Sequence, residues 1–295
     1  MKSGFVSLIG RPNAGKSTLL NSIVGEKIAI TSSKPQTTRD NIRGIYNDKD
    51  TQIVFVDTPG IHKPKHKLGQ YLNREAYYTI EDVDIILLLI DAKEKWGKGD
   101  DFVLERLKKV DKPVILVINK IDTIPREKIL ELIATYKDLY NFQEIVPVSA
   151  LKKDNVEELI RTIKPYLQDE IQYYLEEEIT NQSELFRMKE MIREKILHLT
   201  EEEVPHATTC IIESIEKDKN SYHIGAVIVV DRDSQKRIII GKNGSKIKEI
   251  GMLARQDIEA MLGKKVYLEL FVKVIKDWRN KEKQLMELGY SEKEL

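Results

Sequence analysis

Gly10-Arg11-Pro12-Asn13-Ala14-Gly15-Lys16-Ser17 decides the reading of this chain. The apolar run Phe5-Val6-Ser7-Leu8-Ile9 precedes it and Thr18-Leu19-Leu20-Asn21-Ser22-Ile23-Val24 follows. The order is therefore strand, glycine loop, helix, the context a phosphate-binding loop requires. Gly10 and Gly15 allow positive φ, so the N–H groups from Asn13 through Ala14 to Thr18 turn inward at a helix N-terminus, facing the α and β phosphates of a nucleotide. Lys16 is placed to reach the β and γ phosphates, and the Ser17 hydroxyl to hold Mg²⁺.

The surrounding chain alternates strand and helix. Polar Glu26 to Asn41 has neither helical nor strand period and reads as a mobile loop. Ile42 to Tyr46 and Gln52 to Val56 flank Asn47-Asp48-Lys49-Asp50, a hairpin that adds one antiparallel edge to an otherwise parallel sheet. Asp84 to Asp91 and Pro113 to Asn119 are aliphatic runs suited to burial on both faces, and Glu144 to Val148 is a last strand. Helical segments near 68–80, 100–110, 126–140 and 155–167 separate them. The expected fold is a doubly wound, mostly parallel six-stranded α/β domain, with ligand contacts at the strand C-termini.

Three more motifs fall at strand ends. Asp57-Thr58-Pro59-Gly60 offers a carboxylate to Mg²⁺ and the Gly60 N–H to a γ-phosphate. In Asn119-Lys120-Ile121-Asp122 the Asp122 carboxylate can accept from N1–H and the exocyclic amine of guanine, which adenine does not match, while Lys120 lies along the base and Asn119 braces the loops. Ser149-Ala150-Leu151 offers a backbone N–H to the guanine O6. GTP or GDP is the nucleotide this set selects.

At 295 residues and 41% hydrophobic content the chain can fold two domains: 1–170, a linker at 171–183 in the acidic stretch after Gln168, and 184–295. Forty-eight basic and 48 acidic residues leave no net charge, so any nucleic-acid surface is a local patch. Lone Cys210 forms no internal disulfide and fits a reducing cytoplasm. No signal peptide or membrane span is expected, since the aliphatic run from Ile85 ends at Asp91. Beyond the linker the pattern predicts a helix over 184–199, strands over 209–217 and 222–230, two helices within 234–263 broken by glycines, and a strand over 266–275, an α-β-β-α-α-β order. A polar tail helix, Asp277 to Leu288, closes it, with Trp278, Leu285 and Leu288 packing on the domain or on a partner.

Residues 1 to about 170 resemble a translation-factor-class GTPase, and the whole chain resembles the Era family of bacterial GTPases. The second half is similar to a type II KH domain, whose Gly-x-x-Gly loop, here Gly241-Lys242-Asn243-Gly244, clamps about four unpaired nucleotides. Lys236, Arg237, Ile240, Lys246 and Lys248 flank that loop and complete the expected RNA surface. The resemblance implies that Thr38, with Thr37 as the alternative, binds Mg²⁺ in the GTP state, and that Lys16, Thr38 and Gly60 serve catalysis. It further implies binding to the single-stranded 3′ end region of 16S rRNA and a role in 16S rRNA processing and 30S subunit assembly.

Ile61 stands where a water-orienting glutamine would be, so slow unaided hydrolysis is expected. Arg39 is either an arginine finger or a solvated loop arginine. Related GTPases with an aliphatic residue at that position use K⁺ through an asparagine that Asn13 matches. A cytoplasmic monomer is expected, with peripheral contact at the inner face of the plasma membrane left open. Two rival readings stand beside the switch: a constitutive RNA-binding module whose nucleotide domain only stabilises the fold, and a GTPase that recruits a protein or membrane surface.

Overall fold

In the computed structural model, which describes residues 1–34 and 37–290, the strand and helix signals resolve into two compact units. One comprises Met1–Lys63 with Leu72–Gln182, the other Pro64–Tyr71 with the chain from Ser183 onward. Pro35 and Gln36 of the loop expected to be mobile lie outside the described residues.

The first unit is built on β1 (Lys2–Gly10), β2 (Ile42–Asn47), β3 (Thr51–Asp57), β4 (Ile85–Asp91), β5 (Val114–Asn119) and β6 (Glu144–Pro147), interleaved with α1 (Lys16–Val24), α2 (Lys67–Glu81, of which Lys67 to Tyr71 belong to the other unit), α3 (Lys98–Leu107), α4 (Arg126–Tyr136) and α5 (Val156–Ile163). The sheet order is β2-β3-β1-β4-β5-β6. All neighbours are parallel except the β2–β3 hairpin, which pairs antiparallel from Ile42↔Asp57 to Asn47↔Gln52. The central strands are apolar on both faces because helices cover both, as continuous runs such as Ile85 to Ile90 require. The β1, β3, β4 and β5 ends bring Gly10, Asp57, Asp91 and Asn119 to one edge of the sheet.

The acidic stretch expected as a linker is held to this unit by hydrogen bonds. Buried Gln52 accepts the N–H groups of Tyr173 and Tyr174 at 2.8 and 3.0 Å and donates to the Tyr174 carbonyl at 2.9 Å. Farther on, the chain follows the open edge of β2: Ile45 N–H donates to the Ile179 carbonyl at 2.9 Å, the Thr180 hydroxyl to the Arg43 carbonyl at 2.7 Å, and the Gln182 amide to the Asn41 carbonyl at 3.1 Å. Its acidic composition hides this pairing because the bonds are made by backbone and amide groups. The boundary between compact units accordingly falls after Gln182.

The second unit has the order α6 (Glu184–Leu199), β7 (Thr209–Lys217), β8 (Ser221–Val230), α7 (Asp233–Ile240), α8 (Ser245–Leu262), β9 (Lys265–Val274) and α9 (Glu282–Glu287). β7 pairs antiparallel with β8, and β8 parallel with β9. Ser183 caps α6, accepting from the Phe186 N–H. Met188, Ile192 and Ile196 of that helix pack with Ile239, Ile250, Ala254 and Ile258 against one face of the three strands. Cys210 lies in this core, its thiol pushed up to about 12 by burial, which makes it a small apolar filler.

The expected tail helix divides into a short 3₁₀ turn over Trp278–Asn280 and α9. Trp278 is fully buried; its indole N–H donates to the Ala207 carbonyl at 3.0 Å. Arg279 holds Asp231 through two nitrogens, at 3.1 and 2.8 Å. Trp278, Leu285, Leu288 and Tyr290 are thereby committed to packing. Trp278→Ala removes a large buried ring and orphans the Ala207 carbonyl, and is expected to cost about 3–5 kcal/mol, read as an earlier midpoint in denaturant titration of the whole chain.

Candidate nucleotide and RNA sites

The glycine loop is shaped by contacts from distant strands. Gly15 has φ +94, and a Cβ placed there would collide with the side-chain amide nitrogen of Asn119. That amide donates to the Ala14 carbonyl at 2.9 Å, while the Asn119 Oδ1 accepts the N–H groups of Lys120 at 2.8 Å and Ala150 at 3.1 Å. One buried asparagine thus joins the glycine loop to the loops after β5 and β6, both expected to face the base. Gly60 approaches the same loop closely, since its Cβ would lie 2.9 Å from the Pro12 nitrogen.

Lys16 is buried, its ammonium donating to the carbonyls of Gly10 at 3.3 Å and Arg11 at 3.1 Å. Burial lowers its pKa and the nearby Asp57 carboxylate opposes that fall. Asp57, also buried, is shifted upward by desolvation, while Lys16 and the hydroxyls of Ser17 and Thr38 counter the shift. Ser17 Oγ donates to Asp57 Oδ2 at 2.6 Å, and Thr38 Oγ1 lies 2.9 Å from Ser17 Oγ and 3.3 Å from Asp57 Oδ2. Thr37 points elsewhere, donating to the Lys34 carbonyl at 2.7 Å.

These oxygens fit a hard divalent cation. Two hydroxyls and one carboxylate converge within hydrogen-bond distance, and Asp57 Oδ1 is buried with no hydrogen-bond partner, an acceptor that a hydrated ion can satisfy. Mg²⁺ is held in this way by few carboxylates together with substrate phosphates.

On the side expected to face the base, Lys120 takes φ +65 and its ammonium meets Asp91 at 2.6 Å. Asp122 Oδ1 accepts from the Ser149 hydroxyl at 2.6 Å. Within the Ser149-Ala150-Leu151 loop the Ser149 N–H donates to the Asp154 carbonyl and the Ala150 N–H to Asn119, so the amides expected to face a guanine O6 are in part taken up by the protein. Leu151 is 73% exposed. Asn13 has φ +67 and donates to the Ser33 carbonyl at 2.6 Å, tying the phosphate loop to the following polar loop. Thr18 joins Ser17 and Lys16 in lining this 130 Å³ cleft.

Two expectations about loop side chains are corrected. Arg39 is 1% exposed, so it is not a solvated loop arginine. The loop expected to be mobile carries buried Ile28, Ala29 and Ile30, because the Asn21 side chain donates to the Ala29 carbonyl and accepts from Ile28 and Ala29. Sequence reasoning also missed Arg11, whose guanidinium bridges Glu94 and Asp100, each at 3.2 Å. Asp100 in turn accepts the Gly97 N–H at the start of α3. No local signal marks a partner 89 residues away.

In the second unit Gly241 ends α7 at φ +72, where a Cβ would meet the Lys246 nitrogen at 2.9 Å. Gly244, at φ +74, is the residue before α8. Arg237, Lys242, Asn243 and Lys248 are exposed around this loop, with Lys236 and Ile240 half-buried. Lys246 does not share their freedom: its ammonium donates to the Leu199 carbonyl at 2.8 Å, capping the end of α6. Its expected RNA contact competes with that bond. Ile239 is core, whereas Ile238 is exposed.

Residues 5–120 match the family model described as a 50S ribosome-binding GTPase, and residues 203–279 that of the KH domain. With the sheet topology and the phosphate loop, these matches define a P-loop GTPase joined to an RNA-binding KH domain. A substituted form of Aquifex aeolicus Era bound to GDP·AlF₄⁻ is 43% identical, superposes with a TM-score of 0.95, and is matched over 99% of this chain and 100% of that one. Era in complex with MgGDPNP and nucleotides 1506–1542 of 16S ribosomal RNA is likewise 43% identical, with a TM-score of 0.96 over 99% of each chain. The chain belongs to the Era family of GTPases.

Gly15→Ala is expected to lower guanine-nucleotide affinity more than tenfold with the fold retained, because the added methyl displaces Asn119 from all three loops it joins; titration with a fluorescent GDP analogue measures it.

Proposed function

We propose that this protein is a GTP-hydrolysing switch that binds the single-stranded 3′ end region of 16S rRNA through its KH domain and acts in 16S rRNA processing and 30S subunit assembly, as a cytoplasmic monomer. The observation that carries the reading is the convergence of Thr38, Ser17 and Asp57 on one buried point beside Lys16. A loop residue, the first turn of α1 and the end of β3 meet where a γ-phosphate would lie, so its loss releases contacts rather than weakening one. An Era relative has been seen with MgGDPNP and the 16S rRNA segment together, which supports the same pairing here.

In this reading Ser17, Thr38 and Asp57 hold Mg²⁺. Bound there, the ion neutralises phosphate charge and orients the oxygens of the transferred group. Lys16 and the N–H groups of the phosphate loop stabilise charge on the phosphates, and Gly60 reports on the γ-phosphate. Asp122 reads guanine, with Ser149 fixing its carboxylate and Asn119 fixing its loop.

Hydrolysis without a partner is slow, because the residue after Gly60 has nothing to polarise water. Ile61 is buried within the hydrophobic core beside Ile9 and Ile86, and its N–H donates to the Gly10 carbonyl at 3.3 Å. Asn13 supplies the oxygen for a monovalent ion. GTP turnover is therefore expected to be faster in K⁺ than in Na⁺ or Li⁺, followed by phosphate release, and equal rates in the three salts would remove Asn13 from catalysis.

The path from nucleotide to RNA is short along the chain. Thr38 precedes Asn41 by three residues, and the Asn41 carbonyl holds Gln182, the neighbour of the α6 cap Ser183. A change at the phosphate thus reaches the point where the KH domain begins. Committed packing of Trp278, Leu285 and Leu288 weighs against the tail as a recruiting surface, and no described helix is long and apolar enough to cross a membrane.

The deciding experiment is the affinity for a short unpaired RNA ending in the small-subunit 3′ sequence, at fixed salt, with a non-hydrolysable GTP analogue and then with GDP. Tighter binding with the analogue is expected, and Gln182→Ala is expected to narrow the difference. Equal affinity in both states of the unsubstituted protein favours a constitutive RNA-binding module instead.

A further inference from the structure

The KH unit carries a second basic and aromatic feature, at the opposite end of α8 from the glycine loop. The 18 residues of α8 separate the two by about 27 Å. Between the last turn of α8 and the first residues of β9 lies an open groove of 590 Å³ lined by Arg255, Glu259, Lys264, Lys265 and Tyr267 among others. Its one acid is engaged, since Glu259 accepts the Val266 N–H at 3.0 Å. Arg255, Lys264 and Lys265 are exposed, so the groove presents an excess of positive charge in a protein with none overall.

Strand alternation sorts β9 into two faces. Val266, Leu268, Leu270 and Val272 pack with the core, whereas Tyr267, Glu269 and Phe271 face away from it. Tyr267 is 55% exposed and Phe271 58%. The Tyr267 ring lies stacked on His223 of β8, centroids 4.6 Å apart and planes 18° from parallel, so its orientation is set before any ligand arrives. Glu269, and Glu216 across from His223, are acids on this open face. They repel a phosphate backbone, which leaves the Lys264–Lys265 end as the entry for one.

We propose that this groove is a second binding site for unpaired RNA, with Tyr267 as a platform for a base and Arg255, Lys264 and Lys265 as contacts to the phosphates. Every base has a π-face, so stacking there is tolerant of sequence, and the flanking cations suit a polyanion. The site lengthens the RNA footprint beyond the nucleotides that the glycine loop clamps. The inference rests on the RNA-binding reading of the KH domain given above.

The test uses the full chain with a GTP analogue bound and two unpaired RNA probes, one of about 4 nucleotides, filling the glycine-loop clamp, and one of about 16. Tyr267→Ala is expected to weaken the longer probe at least fivefold and leave the shorter one and GTP turnover unchanged, while Tyr267→Trp restores the longer probe's affinity. Lys264→Glu with Lys265→Glu is expected to weaken the longer probe and flatten its salt dependence by about two phosphate contacts. Equal binding of the longer probe by the parent and both altered proteins overturns the proposal and leaves this face to a protein surface. Equal affinity of the parent for the two probes also overturns it, with the glycine-loop clamp intact. Failure of the parent to bind either probe overturns the RNA-binding reading itself.

Discussion

A lysine and an aspartate, both removed from water at the carboxyl edge of a parallel sheet, set the terms for the first unit. Lys16 and Asp57 are each penalised by burial, and each is the other's partial compensation. Neither is fully satisfied: the ammonium rests on two backbone carbonyls, and one carboxylate oxygen has no hydrogen-bond partner. Charges held in this way favour a ligand that brings phosphate to the first and a cation to the second. The surrounding glycines, strand ends and hydroxyls are arranged around that demand.

Meeting it requires loops from widely separated parts of the chain to stay in register. Asn119 does much of this with a single side chain, bonded to the phosphate loop on one side and the loops after β5 and β6 on the other. Arg11 anchors the opposite flank by reaching Glu94 and the capping Asp100. Such bonds are worth little singly, but those of Asn119 and Asp100 are buried or half-buried and shared, so removing one loosens several segments together. The loop holding Thr38 is under the same discipline, pinned at Ile28 and Ala29 by Asn21 and followed by β2, whose free edge carries the chain into the KH domain.

The KH unit solves a different problem with the same elements. Gly241 lets α7 end and α8 begin with backbone so close that a Cβ would meet the Lys246 nitrogen at 2.9 Å. Lys246 in that first turn is spent on structure, tying α8 to the end of α6. Charge in sequence proximity to the glycine loop is therefore an incomplete guide to which side chains are exposed there. A neutral protein gathers exposed charge locally around this loop, on Arg237, Lys242 and Lys248.

The order of elements, the parallel sheet with its one antiparallel edge, and the strand-end loops that converge on the candidate nucleotide site were legible in the amino-acid sequence. Each is a local pattern: apolar runs with period or continuity set by burial, and short loops whose residue types are dictated by what they touch. Tertiary structure alone decided which neighbour in a polar pair turns inward, as with Thr38 toward Asp57 and Thr37 toward Lys34. It alone converted an acidic stretch into a strand-edge partner through Gln52 and β2, and tied the Lys246 ammonium to the Leu199 carbonyl at the end of α6. The physical reason is common to all three: a hydrogen bond is decided by which donor and acceptor the fold brings together, and such a pairing leaves no period or composition behind.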